Sequence, residues 1–232
     1  MDLIWEGLRK ALELLRSLDP EVLRISWLSL EISCTATLIS LVLGLSVALA
    51  VALNEFPGKR LVIALLNTGM GLPPVVVGLF VTILLWRSGP LGFLGLLYTP
   101  AAMILAQAVI ASPIIAGISV AALQHLPPGL RLQILALGAS RPQMVWLLMK
   151  EARLPLLGAV MAGFGGVISE VGASIMVGGN IKGQTRVLTT ATVMETSRGN
   201  FDMAIALSLI LLVLAFTVNA VLTRLQQRGR RP

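Results

Sequence analysis

The chain has 232 residues, of which 56% are hydrophobic and 12% charged, with a formal net charge of +7 and a mean hydropathy of +0.89. Soluble domains run at about 45–50% apolar and about 25% charged residues, so this composition excludes an ordinary soluble domain and points to a membrane protein crossing the bilayer several times. One histidine and one cysteine exclude disulfides within the chain and leave little for metal or acid–base chemistry, while scattered basic residues without aromatic interleaving argue against nucleic-acid binding.

Residues 1–18 place Leu3, Ile4, Leu8, Ala11, Leu12, Leu15 and Leu18 at helical spacing with charges opposite. This pattern predicts an amphipathic helix on the membrane surface within an N-terminal segment of residues 1–22. Charges from the second residue onward and the lack of an apolar central region argue against a cleaved signal peptide. Five apolar runs follow, at residues 25–53, 61–86, 99–123, 154–178 and 203–222, each long enough to cross a bilayer. The expected fold class is therefore all-α, a polytopic bundle of about five transmembrane helices over residues 23–225. Cys34 lies in the first run.

In the second run, Pro73 and Pro74 remove two backbone donors and should kink or break the helix. A packing kink and a role in lining or gating a path are both open readings. Between the third and fourth runs, the loop of residues 124–153 carries two short helical patterns broken at Gly138-Ala139-Ser140 and Pro142. Arg131, Arg141, Lys150 and Arg153 stand there among Leu, Ile, Met and Trp146. A loop outside the bilayer with that much apolar surface needs a cover, so it reads as a docking element. His125, beside Pro127 and Pro128, reads as a solvated loop side chain.

The fourth run is dense in glycine (Gly158, Gly163, Gly165, Gly166, Gly172 and Gly178), which lets helices approach closely where lipid supplies no hydrophobic drive. It also holds Ser169 and Glu170. A carboxylate at mid-membrane costs about 2.5–3.5 kcal/mol unless paired, protonated or facing water; structural hydrogen bonding and contact with a transport path both stand as roles for Glu170. Residues 178–200 then combine turn-forming Gly179, Asn180 and Gly183 with Thr185 and a moderately apolar stretch, which predicts a short re-entrant or interfacial helix. Pro73, Pro74, Ser169, Asn180 and Thr185 offer kinked backbone, amides and hydroxyls, suited to holding an anion briefly without trapping it. The last run ends in Arg224, Arg228, Arg230 and Arg231, so the basic tail of residues 226–232 is expected in the cytoplasm and, with five spans, the N-terminus outside.

The loop containing Leu137-Gly138-Ala139-Ser140, followed by two more expected spans, resembles the cytoplasmic EAA loop of permease subunits of ATP-binding-cassette importers, although Leu132-Gln133-Ile134 stand in place of the Glu-Ala-Ala triplet. GLPPVVVG in the second run, SGPLGFLGLLYTP after it and SEVGASIMVGGNIKGQTRVLTT after the fourth resemble the tungstate importer permeases, relatives of the molybdate and sulfate permeases, over residues 23–225. The resemblance implies a type I ABC importer permease fold in the cell inner membrane, working as a homodimer with two ATPase subunits and an extracytoplasmic tungstate-binding protein. It further implies coupling to the ATPase through Arg131, Leu135, Leu137, Gly138, Ala139 and Ser140, and docking of the binding protein at Lys182 and Arg186. The chain would carry no catalytic residue, metal or cofactor, ATP being used by the partner, in keeping with the lack of a GxxxxGK[ST] loop. The alternatives are a molybdate or sulfate permease of the same family, or an ATP-independent channel or secondary transporter, which would leave the exposed apolar loop unexplained.

Overall fold

The computed structural model describes residues 2–17 and 19–228; Leu18 and the tail arginines Arg230 and Arg231 lie outside the described residues. Helices and turns alone make up the described chain. Helix α1 (Asp2–Arg16) sets Ala11 and Leu14 against α11 (Phe201–Arg228), and Gly7 approaches so closely that an added Cβ would collide with Ile205. Ile4, Trp5, Leu8 and Leu12 stay exposed. At about 100° per residue the apolar arc of α1 is wider than the strip α11 covers, so a free apolar stripe remains beside the charged face.

Helix α2 (Pro20–Leu53) begins five residues before the expected run. Asp19 caps it, its carboxylate accepting from Glu21 N at 2.9 Å and Val22 N at 3.0 Å, and Pro20 supplies a preset first-turn φ at a position whose N–H would be orphaned anyway. Its main partner is α5 (Pro100–Gln124), capped by Thr99. The two backbones meet at Gly44, where an added Cβ would lie 3.0 Å from both Ser112 O and Ala116 N, and the Ser40 hydroxyl donates to Ala108 O at 3.0 Å. Small residues thus let the central pair close up, as expected where apolar burial gains nothing over lipid.

The second apolar run is two helices, α3 (Lys59–Met70) and α4 (Pro74–Leu85), set at 101°. Twelve residues at about 1.5 Å each give roughly 18 Å, short of the ~30 Å hydrocarbon core, so neither half crosses alone. The expected kink or break in this run is a break, and it falls at the Pro73-Pro74 pair. After a 3-10 turn at Gly92–Leu94, the loop of residues 124–153 holds α6 (Leu130–Ala136) and α7 (Arg141–Glu151), the latter followed at a 71° bend by α8 (Arg153–Ile168).

The fourth run is corrected. It stops at Ile168, and after a break at residues 169–171 the chain forms α9 (Gly172–Gly178), a turn, and α10 (Leu188–Ser197). The break lets α9 lie on α4: an added Cβ on Gly78 would sit 2.7 Å from Ala173 Cα, and one on Gly172 would sit 2.7 Å from Val75 Cγ2. Among the described residues three helices, α2, α5 and α11, are long and apolar enough to span a membrane, and the count reaches five if each bent pair is one span. The core runs through Ile32, Val81, Met103, Val167 and Val177. Leu38, Val42, Phe80, Ile83, Leu212 and Phe216 stay exposed, the expected surface of a bundle solvated by hydrocarbon.

Candidate functional site

The sequence-predicted residues fall into three places: the α6 element at the C-terminal end of α2, the helix breaks inside the bundle, and the turn of residues 179–187 at the N-terminal end of α2. In the first, α6 packs through Ile134 against Met144 and Leu148 of α7, with Leu53, Leu126 and Ala139 joining. The helix ends in a Schellman arrangement: Gly138, at φ +84°, donates its N–H to Leu135 O at 3.0 Å, and Ala139 N donates to Ile134 O at 3.3 Å. Only a residue tolerant of positive φ closes that turn without strain. Ser140 then stands as N-cap of α7, its N–H bonded to Gln143 Oε1 at 2.8 Å.

The face left over is apolar and open. Leu137 is 89% exposed, Leu132 69% and Leu135 37%, and space around the Cβ position of Gly138 is empty to 4 Å. Arg131 does not join that face freely, because its Nη1 donates to Leu53 O at 2.6 Å and so closes the C-terminus of α2. Lys150 sits 5.1 Å from the Trp146 ring centroid, a cation–π contact that keeps the exposed indole against its own helix. His125 bonds locally to Ala121 O at 2.7 Å.

Within the bundle, packing of α9 on α4 brings the two helix breaks close, with Val75, next to Pro73-Pro74, against Gly172. Ser169 is exposed and its hydroxyl bonds back to Gly165 O at 2.8 Å. Glu170 is buried, and its Oε1 accepts from Ala173 N at 2.8 Å, capping α9, while its carbonyl accepts from Thr189 Oγ1 at 3.0 Å. The first of these bonds gives the carboxylate a structural occupation, as the acceptor for a backbone donor in the first turn of α9.

Asn180 and Thr185 lie beyond the far end of α9 from that junction and do not share it. Asn180, at φ +51°, accepts from Thr190 Oγ1 at 3.0 Å. Thr185 is fully buried; its hydroxyl donates to Gly178 O at 2.5 Å and accepts from Ile181 N at 3.0 Å. Its expected place on an open path is corrected here: the side chain closes a turn. The docking pair is likewise engaged, since Glu21 bridges Lys182 at 2.6 Å and Arg186 at 3.4 Å, and Arg186 is only 13% exposed. Lys182 alone of the two presents itself at the surface.

Sequence reasoning missed the partners on α2. Glu21 ties the turn, Arg24 donates to Gly183 O, and Ser29 Oγ accepts from Leu188 N at 2.9 Å, satisfying an orphan donor of α10. Asp19-Pro20-Glu21 signalled a helix start, but no local pattern tells which residues about 160 positions later will meet it. Tyr98 was also missed: it sits at φ +64°, donates its N–H to Val177 O at 2.8 Å, and covers Gly179 with its ring.

The family described as binding-protein-dependent transport system inner membrane component matches residues 40–231. The chain is 43% identical over 227 residues to the tungstate uptake system permease protein TupB of Peptoclostridium acidaminophilum, covering 98% of this chain and 100% of that protein. It is 44% identical over 209 residues to a probable anion ABC transporter permease protein of Haloferax volcanii, covering 88% and 90%. Among solved structures, an inward-facing conformation of the MetNI methionine ABC transporter superposes with a TM-score of 0.75 at 23% identity over 93% of this chain and 99% of that one, a likeness of fold.

Proposed function

The chain belongs to the binding-protein-dependent transport system inner membrane components, and from that premise we propose that it is the permease subunit of an ATP-driven importer carrying tungstate across the cytoplasmic membrane. It is a transport subunit, not an enzyme, and ATP is hydrolysed by a separate subunit. The full-length match to a tungstate uptake permease carries the substrate reading. The residues themselves argue only for an anion that is bound briefly, through hydroxyls, amides and broken backbone.

In this reading two copies of the chain form the path, two ATPase subunits dock on the α6 faces, and a tungstate-binding protein delivers substrate at the α10 end, near Lys182. The open apolar face at Leu132 and Leu137 supports the ATPase contact, and the juxtaposed breaks at Pro73-Pro74 and Ser169-Glu170 support a path along the α4–α9 junction. The basic C-terminus supports a cytoplasmic α6 end and an extracytoplasmic N-terminus. ATP-driven closure of the ATPase pair would move the α6 elements and switch the dimer between its two access states as rigid bodies.

The test is uptake by the reconstituted complex with its own binding protein, competing tungstate against molybdate and sulfate. Preferential, ATP-dependent tungstate uptake is expected. A preference for molybdate or sulfate transfers the protein to that branch, and flux through the chain alone without ATP removes the importer reading altogether.

A further inference from the structure

We infer that α2 is a strut joining the ATPase-docking element to the turn of residues 179–187, and that Arg131 at one end and Glu21 at the other are positioning residues that make the two move together. The inference rests on the reading of the chain as an ATP-driven permease and names how its two ends communicate.

Helix α2 runs 34 residues without a break, about 51 Å at ~1.5 Å per residue, longer than the hydrocarbon core it crosses. Its last carbonyls would be orphaned, and one of them, Leu53 O, is taken by the guanidinium of Arg131 on α6. The Leu53 side chain also joins the apolar cluster beneath α6. The docking element is therefore fastened to the end of α2 by a charge-assisted bond and by packing.

At the opposite end, three successive turns of α2 hold the turn and the start of α10. Glu21 pairs with Lys182 and Arg186, Arg24 bonds Gly183 O, and the buried Ser29 hydroxyl accepts from Leu188 N. The turn is closed within itself by the Thr185 hydroxyl and by the N–H groups of residues 184–186, which converge on Ile181 O. A turn rigid inside and tied to a helix outside follows that helix when it tilts.

Other routes do not reach α6 as directly: unbroken α11 packs on α10, but its far end is fastened through Gln226 to Leu154 O on α8. The α3–α4 pair breaks at 101° and the α7–α8 pair at 71°, and α5 carries Pro113 in its interior, where a backbone hydrogen bond is lost. A conformational change passes only as far as contacts differ between states; the side-chain ties at both ends of α2 are where such a difference would be imposed and received.

The experiment uses the complete complex with its ATPase and binding protein in lipid vesicles, in a Cys34→Ala background carrying Gln184→Cys on the turn. The labelling rate of that position by a membrane-impermeant thiol reagent is compared with and without a non-hydrolysable ATP analogue. We expect a several-fold nucleotide-dependent change, which Glu21→Gln and Arg131→Met each reduce towards none while the ATPase still co-purifies. Arg131→Lys, which can still donate to Leu53 O, should retain it, and the double variant should be no worse than the worse single one, because both cut the same link. A nucleotide response that survives both single variants, or is absent from a complex whose ATP hydrolysis is stimulated by loaded binding protein, overturns the strut. Absence of that stimulation overturns the importer reading and the strut with it.

Discussion

Gly138 gives the sharpest test of the docking element, because the structure separates two reasons for a glycine there. Its φ of +84° penalises any L-residue with a Cβ by about 1–2 kcal/mol, and asparagine less, since it visits that region more readily. Within the chain there is no steric reason, as space around the Cβ position is empty to 4 Å. Helix α6 has seven residues and one buried side chain, Ile134, so little else resists loss of the turn, and 1–2 kcal/mol corresponds to roughly a 5–30-fold fall in its population. Gly138→Asn should therefore stay near the parent, and Gly138→Ala should lose substrate-stimulated ATP hydrolysis in that range. Gly138→Trp should lose more than Ala, the excess reporting the partner's surface alone. Co-purification with the ATPase and stimulated ATP hydrolysis in reconstituted vesicles read all three. Equal behaviour of Ala and Asn would refute the backbone argument; a Trp variant that still co-purifies and is still stimulated would refute docking at this face.

Glu170→Gln keeps an acceptor for Ala173 N and should sustain near-parent uptake, whereas Glu170→Ala removes the cap of α9 and should cost about 0.5–2 kcal/mol of stability; if Gln is as damaging as Ala in the uptake assay, the charge itself is needed and the capping account fails. Thr185→Val deletes a hydroxyl that satisfies Gly178 O and Ile181 N, so thermal unfolding of the detergent-purified protein should register a loss of about 1–3 kcal/mol, with Thr185→Ser recovering most of it; an unshifted Val variant would contradict the turn assignment. In a Cys34→Ala background, Gln184→Cys should react with an impermeant reagent from outside intact cells and Leu137→Cys only after the inner face is opened; the reverse pattern inverts the orientation.

The sequence made legible whatever is local. Apolar runs located the helices that cross, because about 20 apolar residues have few soluble uses. The proline pair marked the break between α3 and α4 because a missing N–H is a property of the residue alone. Gly138 and Ser140 marked the α6–α7 turn for the same reason. What stayed hidden was set by distant partners. The fourth run reads as continuous because its glycines and apolar residues satisfy a hydropathy window, yet Gly172 and Ala173 find close packing on Val75 and Gly78, and that contact rewards a break at residues 169–171. Lys182 and Arg186 look free in sequence because Glu21 lies more than 160 positions away. Thr185 looks like a donor awaiting substrate until the carbonyl of Gly178 folds over it.

These local and distant facts bear jointly on how the chain handles charge. The carboxylate in the fourth run is occupied as a helix cap, and the cations nearest the turn are held by other groups: Lys182 and Arg186 share the one carboxylate of Glu21, Arg24 donates to Gly183 O, and Arg198 pairs with Glu195. A dianion passing beside residues 179–200, as proposed above, would meet cations already held by other groups and committed hydroxyls, an environment from which it is released more readily than from a ring of free arginines. Weak retention suits a step whose work is passage. It also leaves little with which to separate tetrahedral dianions of equal charge and similar size, so discrimination has to be made where an anion is fully enclosed and its hydrogen bonds counted, before it reaches this chain. What the permease does show is a long helix tied at both ends and a glycine-closed turn under an open apolar face, which on the reading proposed above serve for moving together and not for choosing.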